Sequence, residues 1–274
     1  MPLVPLRDLL DRSAPTAAFN VIQIEHAEAI AAAADETGAP VVLQISENAV
    51  RYHGSLAPIS RAALAIAASA VSPVAVHLDH ATSEDLIREA VDLGFGSVMF
   101  DGSALGHDEN VARTAAVVRR CHGRDVSVEA ELGEIGGKNG VHEPGARTDP
   151  DEAARYVEAT GVDALAVAVG SSHAMLTRTA TLDFDLIARL KAAVPVPLVL
   201  HGSSGVADEH LAAAVRAGMR KINIATQLNK FFTAAIRAGL GDDPVLVDPR
   251  RYLGAGREAM TTEVARLIRV LEGR

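Results

Sequence analysis

The sequence predicts an α/β fold closed into a (β/α)8 TIM barrel, one domain over residues 1–274 with an extra C-terminal helix. Three observations lead there. Eight short apolar runs recur along the 274 residues, each followed by an amphipathic helical pattern. The runs are rich in Val, Ile and Leu without clean polar alternation, as parallel strands covered on both faces require. Glycines stop the helical segments just before the next apolar run, at Gly38, Gly94, Gly161 and Gly218.

The predicted strands are 17–22, 41–45, 74–78, 97–100, 126–130, 164–169, 198–200 and 221–224. Helices are expected over 26–36, 59–70, 83–93, 109–122, 150–160, 183–193, 208–217 and 226–238, and a further one over 249–274. Ser83 with Glu84 and Asp85, and Asp208 with Glu209, place oxygen acceptors and negative charge where two of these helices begin. Eight such units in so short a chain leave little room for insertions. A doubly wound open sheet is the competing architecture, but no Gly-x-Gly-x-x-Gly follows the first run.

Composition narrows the function. Apolar residues make up 49% of the chain and charged residues 22%, which is enough to bury a core and too apolar for disorder. Aromatic residues are 3% and Trp is absent, which disfavours stacking platforms for single-stranded nucleic acid. The formal net charge is −9, so there is no broad basic surface for nucleic acid or an acidic membrane. The longest apolar stretch, 62–76, is broken by Ser69, Ser72 and Pro73 and cannot span a bilayer. No targeting segment is expected in the first residues. One cysteine, Cys121, excludes an internal disulfide and fits a cytoplasmic location.

A barrel of this kind does its chemistry where its strands end. Asp79 and His80 follow the third strand, Asp101 the fourth and Glu131 the fifth; His173 follows the sixth and His201 the seventh. Three imidazoles from separate strands on one rim match a catalytic zinc with a position left for substrate oxygen. Neutral nitrogen donors without thiolate favour zinc, with cobalt or iron as substitutes. Each histidine alone reads more readily as an ordinary loop hydrogen-bonder; three at matching strand ends favour a metal site. His77 lies inside its strand and is left out of the ligand set. His26, His122 and His210 are expected on helix surfaces, and His53, His107 and His142 in loops near the mouth. Asp79 either holds a ligand in place or works as a general acid and base. Asp101 and Glu131 offer either a second metal position or plain polar lining.

Gly202, Ser203, Ser204 and Gly205 follow the seventh strand, and Asn223, Ile224, Ala225 and Thr226 end the eighth just before a helix. Loops in those two places, with helix N-terminal amides, form the usual phosphate cradle of this architecture. The four lysines are Lys138, Lys191, Lys221 and Lys230, and none is expected as a buried amine fit for a Schiff base. A carbanion formed here would have to be stabilised by a metal.

At the level of motifs the chain resembles the zinc-dependent, class II ketose-bisphosphate aldolases, in particular the fructose- and tagatose-bisphosphate branch. The resemblance is carried by Ala18-Phe19-Asn20-Val21, His77-Leu78-Asp79-His80, Phe100-Asp101-Gly102-Ser103 and Glu129-Ala130-Glu131-Leu132-Gly133 with Gly136-Gly137. It continues through Gly161-Val162-Asp163-Ala164 to His173, His201-Gly202-Ser203-Ser204-Gly205, Lys221-Ile222-Asn223-Ile224-Ala225-Thr226 and Asp248-Pro249-Arg250. These motifs run in the family's order over nearly the whole chain. The resemblance implies zinc on His80, His173 and His201, proton transfer by Asp79, and an alternate metal position at Asp101 and Glu131. It implies a dihydroxyacetone phosphate moiety on Asn20, Gly202, Ser203, Ser204, Asn223, Ile224, Ala225 and Thr226, and a far phosphate on Arg250. A monovalent cation (Na+ or K+) near the phosphate loops and a homodimer or homotetramer are further implications. The expected partner is a small phosphorylated ketose, cleaved reversibly to dihydroxyacetone phosphate and an aldehyde.

The chain departs from the family pattern in three places. Lys138-Asn139 stand where the family carries an acidic pair, with Glu134 and Glu143 as nearby substitutes; Ala174 replaces a glycine; and Ser46 to His53 are unlike the common fructose-bisphosphate forms. These point to a different aldehyde partner. A zinc barrel hydrolase and a non-catalytic sugar-phosphate-binding subunit are the rival functional classes, separated by turnover of a carbonyl phosphate.

Overall fold

The computed structural model describes residues 2–12, 14–132, 147–173 and 175–274. Eight parallel strands close into a barrel in sequence order: β1 (Thr16–Asn20), β2 (Val41–Ser46), β3 (Val74–Ala81), β4 (Ser97–Phe100), β5 (Ser127–Leu132), β6 (Ala164–Val167), β7 (Leu198–Leu200) and β8 (Met219–Ile224), with β8 paired to β1. All eight lie where the apolar runs place them. The early helices are α1 (Leu6–Leu10), α2 (Ile24–Thr37), α3 (Glu47–His53), α4 (Ala57–Ser69) and α5 (Glu84–Leu93). The later ones are α6 (His107–His122), α7 (Pro150–Thr160), α8 (Phe184–Ala193), α9 (Asp208–Ala217), α10 (Thr226–Asp242) and α11 (Pro249–Glu272).

Both faces of the strands are buried, which explains why their apolar runs lack regular polar alternation. One set of side chains, including Leu43, Ile45, Val76, Leu78, Val98, Leu165, Leu200 and Ile222, packs outward in the core shared with the helices. The other set fills the barrel axis. Ala18, Val42, Ala75, Ala164, Ala166 and Val199 pack there with Leu6, Leu9 and Leu10 of α1, which closes the floor. Above that plug the interior turns polar: Gln44, His77, Ser97, Glu129 and Lys221 are all buried. The helix at the end of the chain, α11, packs against α2 and α10 and so covers the seam between the first and last units.

Two helices escape the periodicity reading because they are too short to show a period. The five residues of α1 are held by tertiary packing of Leu6, Leu9 and Leu10. The seven residues of α3 begin with Ser46 Oγ accepting from the amide of Ala49, which puts His53 at a helix end rather than in a loop. His107 likewise begins α6. Ser83 caps α5 as expected, through the amide of Leu86. Asp208 does not cap α9; it is the first helical residue, and its carboxylate pairs instead with Arg178 and Arg266, each at 2.6 Å.

His26 corrects the expectation of a surface residue. It is buried, its Nδ1 accepts from the amide of Ile22 at 3.2 Å, and its ring meets Phe232 edge-on at 4.9 Å. Burial lowers its pKa to about 4, so the ring is neutral at ordinary pH. His210 is half-buried beside Phe184. His122 is on the surface, 2.9 Å from Asp163.

The floor plug sets a stability prediction. Leu9 is 1% exposed. Leu9→Ala should destabilise the protein by about 2–5 kcal/mol in denaturant unfolding, because the barrel wall cannot collapse into the space left; a loss below about 1 kcal/mol would show that α1 contributes little to the floor.

Candidate active site

The residues singled out at the strand ends meet at the open end of the barrel. His80 belongs to β3, where strict alternation would send Asp79 and His80 to opposite faces. The β3–β4 register shifts between Leu78 and Ala81, and His80 takes φ 52°, a left-handed conformation uncommon for a non-glycine residue. That irregularity brings both side chains to the same cavity. His201 follows β7 directly and is fully buried, while His173 comes from the segment after β6.

The three imidazoles converge edge to face. Ring centroids lie 4.7 Å apart for His80 and His201, 5.1 Å for His80 and His173, and 5.7 Å for His173 and His201. Together with Glu131 of β5 they offer one nitrogen or oxygen each, all within 4.8 Å of one another. Glu131 Oε2 stands 3.2 Å from His201 Nδ1 and 4.0 Å from His80 Nδ1. Asp101 is adjacent, its Oδ2 2.8 Å from His80 Nδ1, while its Oδ1 accepts from the amide and hydroxyl of Ser103.

This donor set fits a cation. His201 Nε2 is engaged by Glu129 Oε1 at 3.0 Å, which leaves Nδ1, buried and without an aligned hydrogen bond, facing the cluster. Asp79, Asp101, Glu129 and Glu131 are all buried. Lys221 is their only lysine or arginine neighbour that is itself buried among the described residues. So much buried negative charge calls for a compensating cation. His201 shows the demand directly. Burial disfavours its charged form, yet the carboxylates of Glu129 and Glu131 on either side outweigh that and raise its pKa to about 9.

Asp79 has one oxygen held and one presented. Its Oδ2 accepts from Asn20 Nδ2 at 3.1 Å, and Asn20 Oδ1 in turn accepts from Gln44 Nε2 at 2.8 Å. Its Oδ1 is buried, has no hydrogen-bond partner among the described residues and lies 4.0 Å from His80 Nε2. Burial would raise the Asp79 pKa, but His80, His201 and Lys221 bring it down to about 2, so the group is ionised at neutral pH.

One cavity of about 190 Å3 joins these groups to the far side of the rim. Asn20, Asp79, His80 and His173 line one part, and Gly202, Ser204, Asn223, Ala225 and Thr226 another. Gly202 has φ 67°, and a Cβ there would lie 2.7 Å from the Ser172 backbone, so the turn requires glycine. Both side-chain polar atoms of Asn223 are buried without hydrogen-bond partners among the described residues. Ser204 Oγ accepts from the amides of Ala225 and Gln227, both at 3.2 Å, fastening the start of α10 to the β7 turn. Those two amides are therefore spent within the protein.

With this geometry in place, a family model for class-II fructose-bisphosphate aldolases matches residues 6–274. The chain belongs to that family. The YdjI aldolase of Escherichia coli K12 shares 33% identity and superposes with a TM-score of 0.86, over 98% of this chain and 97% of that one. A putative fructose-1,6-bisphosphate aldolase of Coccidioides immitis shares 29% identity, TM-score 0.86, over 97% and 94%. The fructose-bisphosphate aldolase of Campylobacter jejuni shares the fold at 21% identity, TM-score 0.82, over 98% and 95%. A class-II aldolase is a carbon–carbon lyase and depends on a metal.

Three of the expected residues do not line this cavity. Ser203 is buried and donates to the Leu200 carbonyl, and Ile224 faces the helix layer because alternation on β8 turns Lys221 and Asn223 inward instead. Arg250 is exposed, and its guanidinium pairs with Asp248 at 2.8 Å. Lys138, Asn139, Glu134, Glu143, His142 and Ala174 lie outside the described residues.

The aldolase site also contains residues that the sequence argument passed over. Gln44, Ser46 and Asn48 line the cavity, and their positions at the end of β2 and the start of α3 are the signal that could have found them. Lys221 corrects the expectation about lysines. It is buried inside the barrel, 2.8 Å from Glu129 Oε2, but does not line the cavity and so presents no amine to a substrate. His77 sits at the same depth, its Nδ1 2.7 Å from Ser97 Oγ, and burial lowers its pKa to about 3.

A cation binding through His201 must displace the proton held there. Zn2+ affinity in a chelator-buffered titration should therefore rise with pH, about tenfold per unit from neutrality, and level off near the His201 pKa of about 9. A flat profile would remove His201 from the ligand set.

Proposed function

We propose that the protein is a zinc-dependent aldolase that reversibly cleaves a phosphorylated ketose, of the fructose-1,6- or tagatose-1,6-bisphosphate type, into dihydroxyacetone phosphate and an aldehyde. One observation carries this reading: the His80, His173, His201 and Glu131 cluster, the presented oxygen of Asp79 and the glycine turn after β7 gather at the same end of the barrel.

In this reading His80, His173 and His201 hold the metal, with Asp101 and Glu131 as an alternate position. Bound there, Zn2+ supplies the positive charge that withdraws electron density from the ketose as the C3–C4 bond breaks. Asp79 accepts the C4 hydroxyl proton on Oδ1 during cleavage and returns it during condensation, while Asn20 keeps the other oxygen engaged. The phosphate end rests against the backbone of Gly202 and the side chains of Ser204 and Thr226, and Asn223 offers the substrate both a donor and an acceptor. A monovalent cation beside this turn, a cytoplasmic location and assembly as a homodimer or homotetramer are carried over from the family resemblance. The buried, single Cys121 agrees with the location, and no described helix is long and apolar enough to cross a membrane.

The assay is release of dihydroxyacetone phosphate from a panel of ketose bisphosphates and monophosphates under saturating zinc. Release should be abolished by a chelator, restored by zinc and unaffected by borohydride; borohydride inactivation would point to a lysine Schiff base and overturn the reading. Asp79→Ala should lower kcat by about 10²–10⁴-fold with zinc content retained, and an unchanged kcat would take Asp79 out of the proton transfer.

A further inference from the structure

The buried ion pair beneath the histidine cluster has no part in the steps above, yet it ends on a ligand atom's own ring. Lys221 Nζ lies 2.8 Å from Glu129 Oε2, and Glu129 Oε1 lies 3.0 Å from His201 Nε2. All three side chains are fully buried. They come from β8, β5 and β7, so the chain of contacts crosses the barrel interior rather than following one sheet edge. The crossing is possible because β6, which stands between β5 and β7, presents only alanine there. Ala164 is the register partner of Glu129, and Ala166 that of Glu131.

A buried ion pair is weak evidence for stability, since apolar residues of similar volume often replace one without loss. Its value here must be looked for at its far end. An imidazole whose one nitrogen donates to a carboxylate has a fixed tautomer and ring orientation and is a more basic ligand through the other nitrogen. Glu129 is placed to accept a hydrogen bond from the Nε2–H of His201, which directs the Nδ1 lone pair at Glu131 and the other two histidines. Lys221 supplies the counter-charge that keeps a carboxylate at this depth. His77 approaches the same carboxylate, 3.9 Å from Oε2, with its other nitrogen satisfied by Ser97.

We propose that Glu129 and Lys221 are positioning residues for the metal: the pair, spanning the barrel from β5 to β8, fixes the tautomer of His201 and so sets the affinity of the cation site. The proposal rests on the cation reading of the cluster, and its test reads cation binding rather than turnover. Metal-stripped protein is titrated with Co2+, following visible d–d absorbance and competition with a chelator. The variants are Glu129→Gln, which keeps the shape, and the double variant Glu129→Leu/Lys221→Met, which removes the charge pair together. Both should bind Co2+ about 10–100-fold more weakly with altered d–d bands, while the double variant unfolds at a denaturant midpoint no lower than the parent's. Unchanged cobalt affinity and spectrum in the double variant would overturn the proposal, and Glu129→Gln decides in the same way should the double variant not fold. His201→Ala separates the two levels of failure. If the parent binds no cobalt, or His201→Ala binds as the parent does, the cation reading itself is wrong and this inference falls with it.

Discussion

Charge is buried along the axis of this barrel, and that constraint organises the rest of the molecule. Below it, apolar side chains of α1 and the strands seal the floor. Above it, carboxylates from β3, β5 and the residue after β4 meet imidazoles from β3 and from the segments after β6 and β7 at the open end. An ion in so dry a place is tolerable only when paired or coordinated. Lys221 answers Glu129, the proton on His201 answers Glu129 and Glu131, and a divalent cation can take that proton's place. The metal requirement of the aldolase family thus has a physical counterpart in this chain: among the described residues, Asp79, Asp101, Glu129 and Glu131 are buried together with Lys221 as the one buried lysine or arginine.

A second constraint is local. Asp79 and His80 are consecutive residues and both reach the cavity, which a regular strand forbids. The shift in the β3–β4 register and the positive φ at His80 resolve the conflict. Backbone irregularities of this kind cost energy and persist where function needs them. The result is a carboxylate and a metal ligand side by side, with the carboxylate steadied by a relay of amides from Gln44 through Asn20.

The opposite side of the cavity is built differently. There the backbone does the work: Gly202 is in a conformation and a space that only glycine accepts, and Ser204 ties the β7 turn to the first amides of α10. That tie makes the turn and the helix start one rigid unit, but it consumes amides that a reading of helix N-termini would have left for an anion. Polar capacity for a ligand then falls to the hydroxyls of Ser204 and Thr226, to the Gly202 backbone and to Asn223, whose side chain has no hydrogen-bond partner among the described residues.

Much of this was legible in the order of residues alone. Strand and helix alternation follows from hydrophobic period and glycine stops, which act over a few residues and need no knowledge of the fold. The histidines at three strand ends were legible for the same reason, because a closed barrel brings every strand end to one rim. What only the tertiary structure decided is orientation and depth. Sequence position could not tell that Lys221 points into the axis and not toward helices, that His26 is sheathed by Phe232, that Ile224 turns away from the cavity beside Asn223, or that Arg250 stays on the surface with Asp248. Those outcomes depend on register, on a bulge and on which neighbours are small, such as Ala164 and Ala166 opposite the glutamates of β5. Residues distant in the chain set them, and local pattern carries no record of distant residues.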